Sequence, residues 1–275
     1  MKTKPIIVTL TAIPPRFPNL LRKMVSLERQ LVKPDQVEIY IPRKYRRFPD
    51  TSVNLPKLPS WVSVITVEDD MGPATKVLPA ARKWRGEDVD LLLCDDDRAE
   101  DPKWISRFAL ARQERPKDII CEVAWNVHER FGWTPKTLDI PQAKLAENRG
   151  RTLDYKFKKM LTLGLYQPPF QMYETSGYSD VFMGVHGALV PPQAFHDDAW
   201  TIPDIVWTVD DVWLSGMAKA NGYGVWVNAV NRPINRDGKF DKVAALKNFV
   251  EQGIDRSGAD RLCVDILRKQ YGIWA

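Results

Sequence analysis

Val89-Asp90-Leu91-Leu92-Leu93-Cys94-Asp95-Asp96-Asp97 is the stretch whose reading decides the fold. A short, mostly apolar run bounded by polar signals reads as a buried central strand. This one runs straight into three consecutive aspartates. Three carboxylates at the end of a buried strand repel one another, so they must be solvated, paired with cations or bound to a metal. Two readings fit at this point: an acidic turn that caps the next helix, or a site for a hard ion. Carboxylate oxygens favour Mg²⁺ or Mn²⁺, often shared with a phosphate. Open α/β sheets bind ligands at the carboxyl ends of their strands, which is where the triplet falls.

Working outward, Ile6–Leu10 reads as a first strand ending at Thr11, and two prolines, Pro14 and Pro15, force a turn. Leu20, Leu21, Met24, Leu27 and Leu31 fall at helical spacing, and Pro34 ends that helix. Val37–Ile41 and Val62–Val67 read as second and third strands, separated by a basic, proline-containing surface loop over 43–60. The third strand ends at Asp69-Asp70, and Gly72-Pro73 opens a helix carrying Lys76, Val77, Leu78 and Ala81. After the aspartate triplet come a helix over 102–115 and a fifth strand, Ile119–Val123. Strands alternating with helices at this spacing predict βαβ units and a mostly parallel sheet. Thr11, Asp69-Asp70 and Asp95–Asp97 then share one sheet edge and converge on one crevice. Beyond Trp125 the chain turns aromatic and irregular to about residue 180. Val181–Val190 reads as a strand interrupted by Gly184 and Gly187, where a ligand or another backbone approaches closely. Asp210-Asp211 opens a helix through Met217, Tyr223–Val227 is a further strand, and the chain from Asp241 reads as two amphipathic helices.

The chain has 275 residues, enough for one large α/β domain: 1–124 as a ligand-binding half, 125–240 as a second half, and 241–275 as C-terminal helices. The net charge of +5 suits an anionic substrate such as a phosphate ester. The chain lacks the dense Lys/Arg block of a nucleic-acid tail, so no nucleic-acid partner is expected. Cys94, Cys121 and Cys263 lack metal-ligand spacing and close pairing, which points to reduced thiols and a cytoplasmic setting. The apolar run after Lys4 is too short for a signal peptide or a membrane span, so any membrane contact is expected to be peripheral. Gly-rich loops of the P-loop and dinucleotide types are missing, which counts against those enzymes.

A crevice lined by Asp95, Asp96 and Asp97 with Lys76, Arg16 and Asp70 suits a nucleoside diphosphate. A metal bridges the two phosphates, Lys76 or Arg16 neutralises further charge, and Asp70 accepts a hydrogen bond from base or ribose. Of Asp210 and Asp211, one satisfies a helix cap and the other is left for general-base work. His128, His186 and His196 have no metal or nucleophile spacing, and His186, beside Gly184 and Gly187, is the one placed to line a site. Tryptophans of the irregular region offer faces on which sugar rings stack.

In these residues the chain resembles the GT-A fold of nucleotide-sugar glycosyltransferases, in the broad family 2-like group, from Ile6 to about Val227. The triplet is similar to that group's DxD motif, which holds a divalent metal against the donor diphosphate. The resemblance implies a Rossmann-like mixed, mostly parallel sheet flanked by helices, and Mn²⁺ or Mg²⁺ as cofactor. It implies Asp97 as a direct metal ligand and Asp95 on the ribose or the metal, with Asp96 mattering least. Thr11, Arg16 and Lys76 fall on the donor side, and Asp70 matches the position that meets the nucleobase. Gly184 to Ala188, with His186 and Gly187, look like the acceptor strand, joined by Asp210. Asp211 matches the acid that serves as catalytic base in a single inverting displacement. The implied partners are a nucleotide-sugar donor, UDP-sugar favoured, and a glycan or other hydroxyl acceptor. The chain departs from the group in having no histidine after His196 as a late metal ligand; Asn231, Asn235 or Asp237 would substitute. Two other functions share the frame: sugar-phosphate nucleotidylyl transfer, which calls for a glycine-rich basic loop where Thr11–Arg16 has no glycine, and non-catalytic carbohydrate binding.

Overall fold

Continuous apolar runs form the centre of the molecule, because strands covered on both faces need apolar side chains on both. The computed structural model describes residues 4–134, 140–146, 160–161, 172–230, 243–244, 246, 249 and 253–274. In chain order the strands are β1 (Ile6–Thr11), β2 (Gln36–Pro42), β3 (Val62–Val67), β4 (Asp90–Leu93), β5 (Ile119–Cys121) and β6 (Ala124–Trp125). They continue with β7 (Lys144–Leu145), β8 (Tyr173–Thr175), β9 (Gly177–Ser179), β10 (Val181–Phe182), β11 (Ala188–Val190) and β12 (Val225–Val227). The helices are α1 (Leu20–Glu28), α2 (Leu78–Lys83), α3 (Trp104–Glu114), α4 (Val127–Phe131), α5 (Asp210–Ala220) and α6 (Arg256–Tyr271).

Among the described residues the main sheet runs β3-β2-β1-β4-β11-β5-β12-β9. The first four strands are mutually parallel, as are β5 and β12, while β11 runs antiparallel between β4 and β5. The sheet is therefore mixed and mostly parallel with helices on both faces, which is the expected fold class. Alternate side chains feed the two layers. Leu91 and Leu93 pack with α2, α5 and α6, while Leu92 and Cys94 pack with α1 and α3. Edge strand β3 is only half-covered and carries Ser63 and Thr66 among its exposed positions.

Three expectations need correction. The helix expected from Gly72 is a 3-10 turn over Gly72–Lys76, and α2 begins only at Leu78. Val77 breaks the run at φ −136, and Pro79 has no N–H to extend a helix backward from its own position. The expected strand 181–190 is two short strands, β10 and β11, joined by a 3-10 turn over Gly184–His186. Gly187 sits at φ +90, a conformation that favours glycine and stops a strand. Leu21 and Leu31 are exposed at 45% and 68%, so α1 buries a narrower stripe than its spacing predicts. Of the two helices expected from Asp241, the second is α6; residues 241–242 and most of 245–252 lie outside the described residues. The three cysteines are free and buried. Among the described residues no helix is long and apolar enough to cross a membrane.

Candidate active site

The carboxyl ends of β1, β3 and β4 lie along one edge of the sheet, since β1, β2, β3 and β4 are parallel. A cavity of about 490 Å³ opens there. Its wall contains Thr11, Arg16, Asp70, Lys76, Asp95, Asp96, Asp97, Asp210 and Asp211, so nine sequence-predicted residues from four segments meet at one place. Gly184, His186 and Gly187 do not form the wall; their neighbours Met183 and Val185 do.

Each side chain is set by local structure. Thr11 ends β1 with its hydroxyl donating to the Tyr40 carbonyl at 2.7 Å. The prolines after it wind a 3-10 turn, Pro14–Asn19, that aims Arg16 across the cavity. Arg16 Nη1 donates to Asp96 Oδ1 at 3.1 Å and Asp97 Oδ2 at 2.9 Å, and its Nε to the Val243 carbonyl at 3.0 Å. Burial works against the Arg16 charge, but Asp96 and Asp97 hold its pKa above the ordinary value. Asp70 accepts from the main-chain N–H of Arg46 at 2.7 Å and of Gly72 at 2.9 Å. Burial raises its pKa, and those two N–H groups oppose the rise.

Lys76 is not a solvated helix lysine. It is 4% exposed, with Nζ 2.7 Å from Asp95 Oδ1 and 3.0 Å from Asp210 Oδ2. Burial disfavours its ammonium, yet Asp210, Asp95 and Asp211 together push its pKa well up. Asp95 is half-buried, and its desolvation raises a carboxyl, but Lys76 prevails and holds Asp95 below its ordinary range. Asp96 shows the opposite balance. Burial lifts it to about 7, against Arg16 and with help from Asp97 and Asp95. Its side chain is 6% exposed, against 12% for Asp97 and 29% for Asp95.

Asp210 and Asp211 begin α5, and neither caps it: Val209 is the cap residue and its side chain makes no capping bond. Asp211 Oδ1 instead accepts the Gly184 N–H at 3.0 Å. Burial, then the Asp210 charge, raises Asp211 to about 7, while Lys76, the Gly184 N–H and Arg256 pull it down. A Cβ on Gly184 would lie 2.9 Å from Leu93 Cδ1, 3.0 Å from Lys76 Nζ and 3.2 Å from Asp211 Oδ1, so glycine is what lets this turn approach. His186 serves through its main chain: its carbonyl accepts from Trp104 Nε1 at 3.0 Å.

Several wall residues were not singled out from the sequence, among them Tyr45, Arg47, Phe48, Trp207 and Arg256. Arg47 and Phe48 lie in the loop read as surface; alternation of arginine with aromatics there was the available signal. Arg47 stacks over Phe48 at 5.3 Å and Arg46 over Trp207 at 5.2 Å. Arg256 gives no local sign of its place.

The fit to a divalent ion rests on the charges present. Among the described residues the wall carries one more acidic side chain than basic ones, counting Asp70, Asp95, Asp96, Asp97, Asp210 and Asp211 against Arg16, Arg47, Lys76, Arg98 and Arg256, with Asp96 and Asp211, each raised to about 7, partly protonated near neutrality. Asp96 Oδ2 is buried and makes no hydrogen bond among the described residues. An incoming diphosphate therefore needs added positive charge. No group of three His, Cys, Asp or Glu side chains among the described residues is arranged to hold a metal alone. Mg²⁺ commonly takes one or two carboxylates and fills its shell with phosphate oxygens and water. The donor set fits an ion shared with a diphosphate and does not form an all-protein cage. Asn231, Asn235 and Asp237 lie outside the described residues.

Fold and site together define a mixed α/β protein with an acid-lined crevice at the carboxyl edge of its parallel strands. No protein-family model matches the chain, and no curated protein matches it. Among solved structures, a crystal structure of S. aureus TarS, residues 1–349, is similar with a TM-score of 0.41 and 13% identity. The match covers 83% of this chain and 59% of that one. At that distance the function is read from the site.

Proposed function

We propose that the protein is a glycosyltransferase that moves a sugar from a nucleoside-diphosphate donor, a UDP-sugar foremost, to a hydroxyl acceptor, with a glycan as the favoured acceptor class. The observation that carries this reading is the meeting of two acid groups from separate elements at one cavity. Asp95 and Asp97 stand just after β4, and Asp211 stands at the start of α5. Asp97 and Asp95 would hold the Mn²⁺ or Mg²⁺, which when bound supplies positive charge to the departing diphosphate. Arg16 adds a fixed positive group on the same side.

Asp211 accepts the proton of the attacking hydroxyl. Its carboxyl, raised to about 7, is matched to a hydroxyl proton transfer near neutral pH. The Gly184 N–H fixes one of its oxygens and leaves the other for the acceptor. A base on the face opposite the leaving group gives a single displacement with inversion. Met183, Val185 and Trp207 supply apolar wall for sugar rings.

The test is product analysis. Purified protein with UDP-sugars and Mn²⁺ is expected to release UDP, slowly to water and faster with a saccharide acceptor. Asp97→Ala is expected to abolish the release. Unchanged release by that variant, or release of pyrophosphate in place of nucleoside diphosphate, overturns the assignment.

A further inference from the structure

Lys76 was expected to meet the donor phosphates, yet its surroundings leave it little to offer them. Its ammonium donates to Asp95 Oδ1 at 2.7 Å and lies 3.0 Å from Asp210 Oδ2 as an ion pair. Its side chain is 5% exposed and that of Asp210 4%. The Gly184 backbone closes the remaining side, since a Cβ there would stand 3.0 Å from the ammonium nitrogen. The same point is 3.2 Å from Asp211 Oδ1, and the Gly184 N–H holds that oxygen. Four segments thus close on one ammonium: the turn after β3, the end of β4, the β10–β11 turn and the start of α5. Lys76 is the cation paired with Asp95 and Asp210 among the described residues.

We propose that Lys76 is a positioning residue, not a donor ligand: it ties Asp95, just after β4, to the Asp210-Asp211 pair at the start of α5, and so sets the distance between donor and base. The assignment rests on the transferase reading. The physical ground is that a buried ammonium between two carboxylates is held by both and moves neither, whereas the carboxylates without it would repel one another and part. Asp210 then has the role of anchoring the ammonium, which explains a buried acid beside the base. Gly184 is small so that the ammonium and the base fit against one turn.

The experiment compares Lys76→Met, similar in length and uncharged, with wild type in the full-length protein. Two quantities are read: the dissociation constant of UDP with Mn²⁺ by calorimetry, and the rate of UDP release at saturating UDP-sugar. The positioning role predicts UDP affinity within about threefold of wild type and a saturated rate lower by about 100-fold, the cost of a small misplacement of reacting groups. Affinity weaker by about 30-fold with the saturated rate kept would make Lys76 a donor ligand and overturn the proposal. An unchanged rate and affinity would overturn it equally. If Lys76→Met does not fold, Lys76→Met/Asp210→Asn removes one of the two stranded carboxylates, and the same split is read on it. Wild-type protein that binds neither UDP nor other nucleoside diphosphates sinks the transferase reading itself, which separates that failure from this one.

Discussion

At Asp211 one perturbed carboxyl links chemistry to stability with opposite signs. Burial and the neighbouring Asp210 charge lift it from an ordinary 3.8 to about 7. The base form appears as pH rises, so the saturated rate is expected to climb about tenfold per pH unit below that value and to level above it. Asp211→Asn is expected to lower the rate by about 10²–10⁴-fold, to leave UDP affinity intact and to abolish that rise. A pH profile of UDP release checks both, and a rate in the Asn variant still rising through 7 would assign the base elsewhere. For stability the sign reverses. The folded state holds a proton that the unfolded chain has already lost between 3.8 and 7. This group's contribution is therefore present below its ordinary value and is lost as pH rises through about 7. Melting temperatures of wild type and Asp211→Asn are expected to lie closest below about pH 4, to move apart between there and about pH 7, and to keep a constant gap above it, with the variant the more stable. Asp96 shows what reading residues one by one misses. The sequence places it in the triplet and expects least of it, while the structure makes it the most buried of the three and pairs it with Arg16. That pairing crosses 80 residues, and nothing local to either residue announces it.

At the scale of elements, β1, β2, β3, β4 and α3 were legible because their signals are local: unbroken apolar runs, prolines at boundaries, apolar residues at helical spacing. The β10–β11 turn was legible only as two glycines. Which backbone or side chain required them was hidden, because those neighbours come from other parts of the chain. Gly184 faces Leu93, Lys76 and Asp211, and Gly187 faces the Trp104 ring. The turn therefore joins the base on one side to the α3 layer on the other. At Gly187 a Cβ would lie 2.6 Å from Trp104 Cζ2, on a backbone at φ +90. Gly187→Ala is expected to cost about 1–3 kcal/mol from backbone strain alone, and more from the clash. It is also expected to slow UDP release by loosening the Gly184 N–H on Asp211. Denaturant unfolding followed by a rate measurement on the folded protein checks the pair. A variant as stable as wild type would mean that the turn relaxes freely and does not fix the base.

At the scale of the molecule, the cavity is assembled from segments far apart in sequence, so its acids could be read, while its apolar wall and arginines such as Arg47 and Arg256 could not. The acids follow from one rule, that parallel strands share a carboxyl edge. Met183 and Val185 follow from how the chain reaches β11, antiparallel between β4 and β5, and Trp207 from the turn before α5, where its ring N–H donates to the Asp70 carbonyl; no periodicity encodes either. The same assembly predicts how ligand and fold are coupled. Arg16, Lys76 and the Asp triplet pair with one another across the cavity, and the wall still has an acid in excess. UDP alone brings more negative charge to that wall, whereas UDP with Mn²⁺ brings the cation the wall lacks. Ligand that binds only the native state stabilises it by about 2.7 kcal/mol at a hundred times its dissociation constant. For a chain of this size that corresponds to roughly 5–10 °C in melting temperature. The full shift is expected with UDP and Mn²⁺ together, and little of it with UDP in the presence of a chelator. Asp97→Ala is expected to lose the shift, and Asp96→Asn to keep most of it, because Asp96 is already turned into Arg16 and the protein interior. An equal shift with chelator present would show that Arg16 and its neighbours hold the diphosphate without an ion, and would remove the metal from the proposed mechanism.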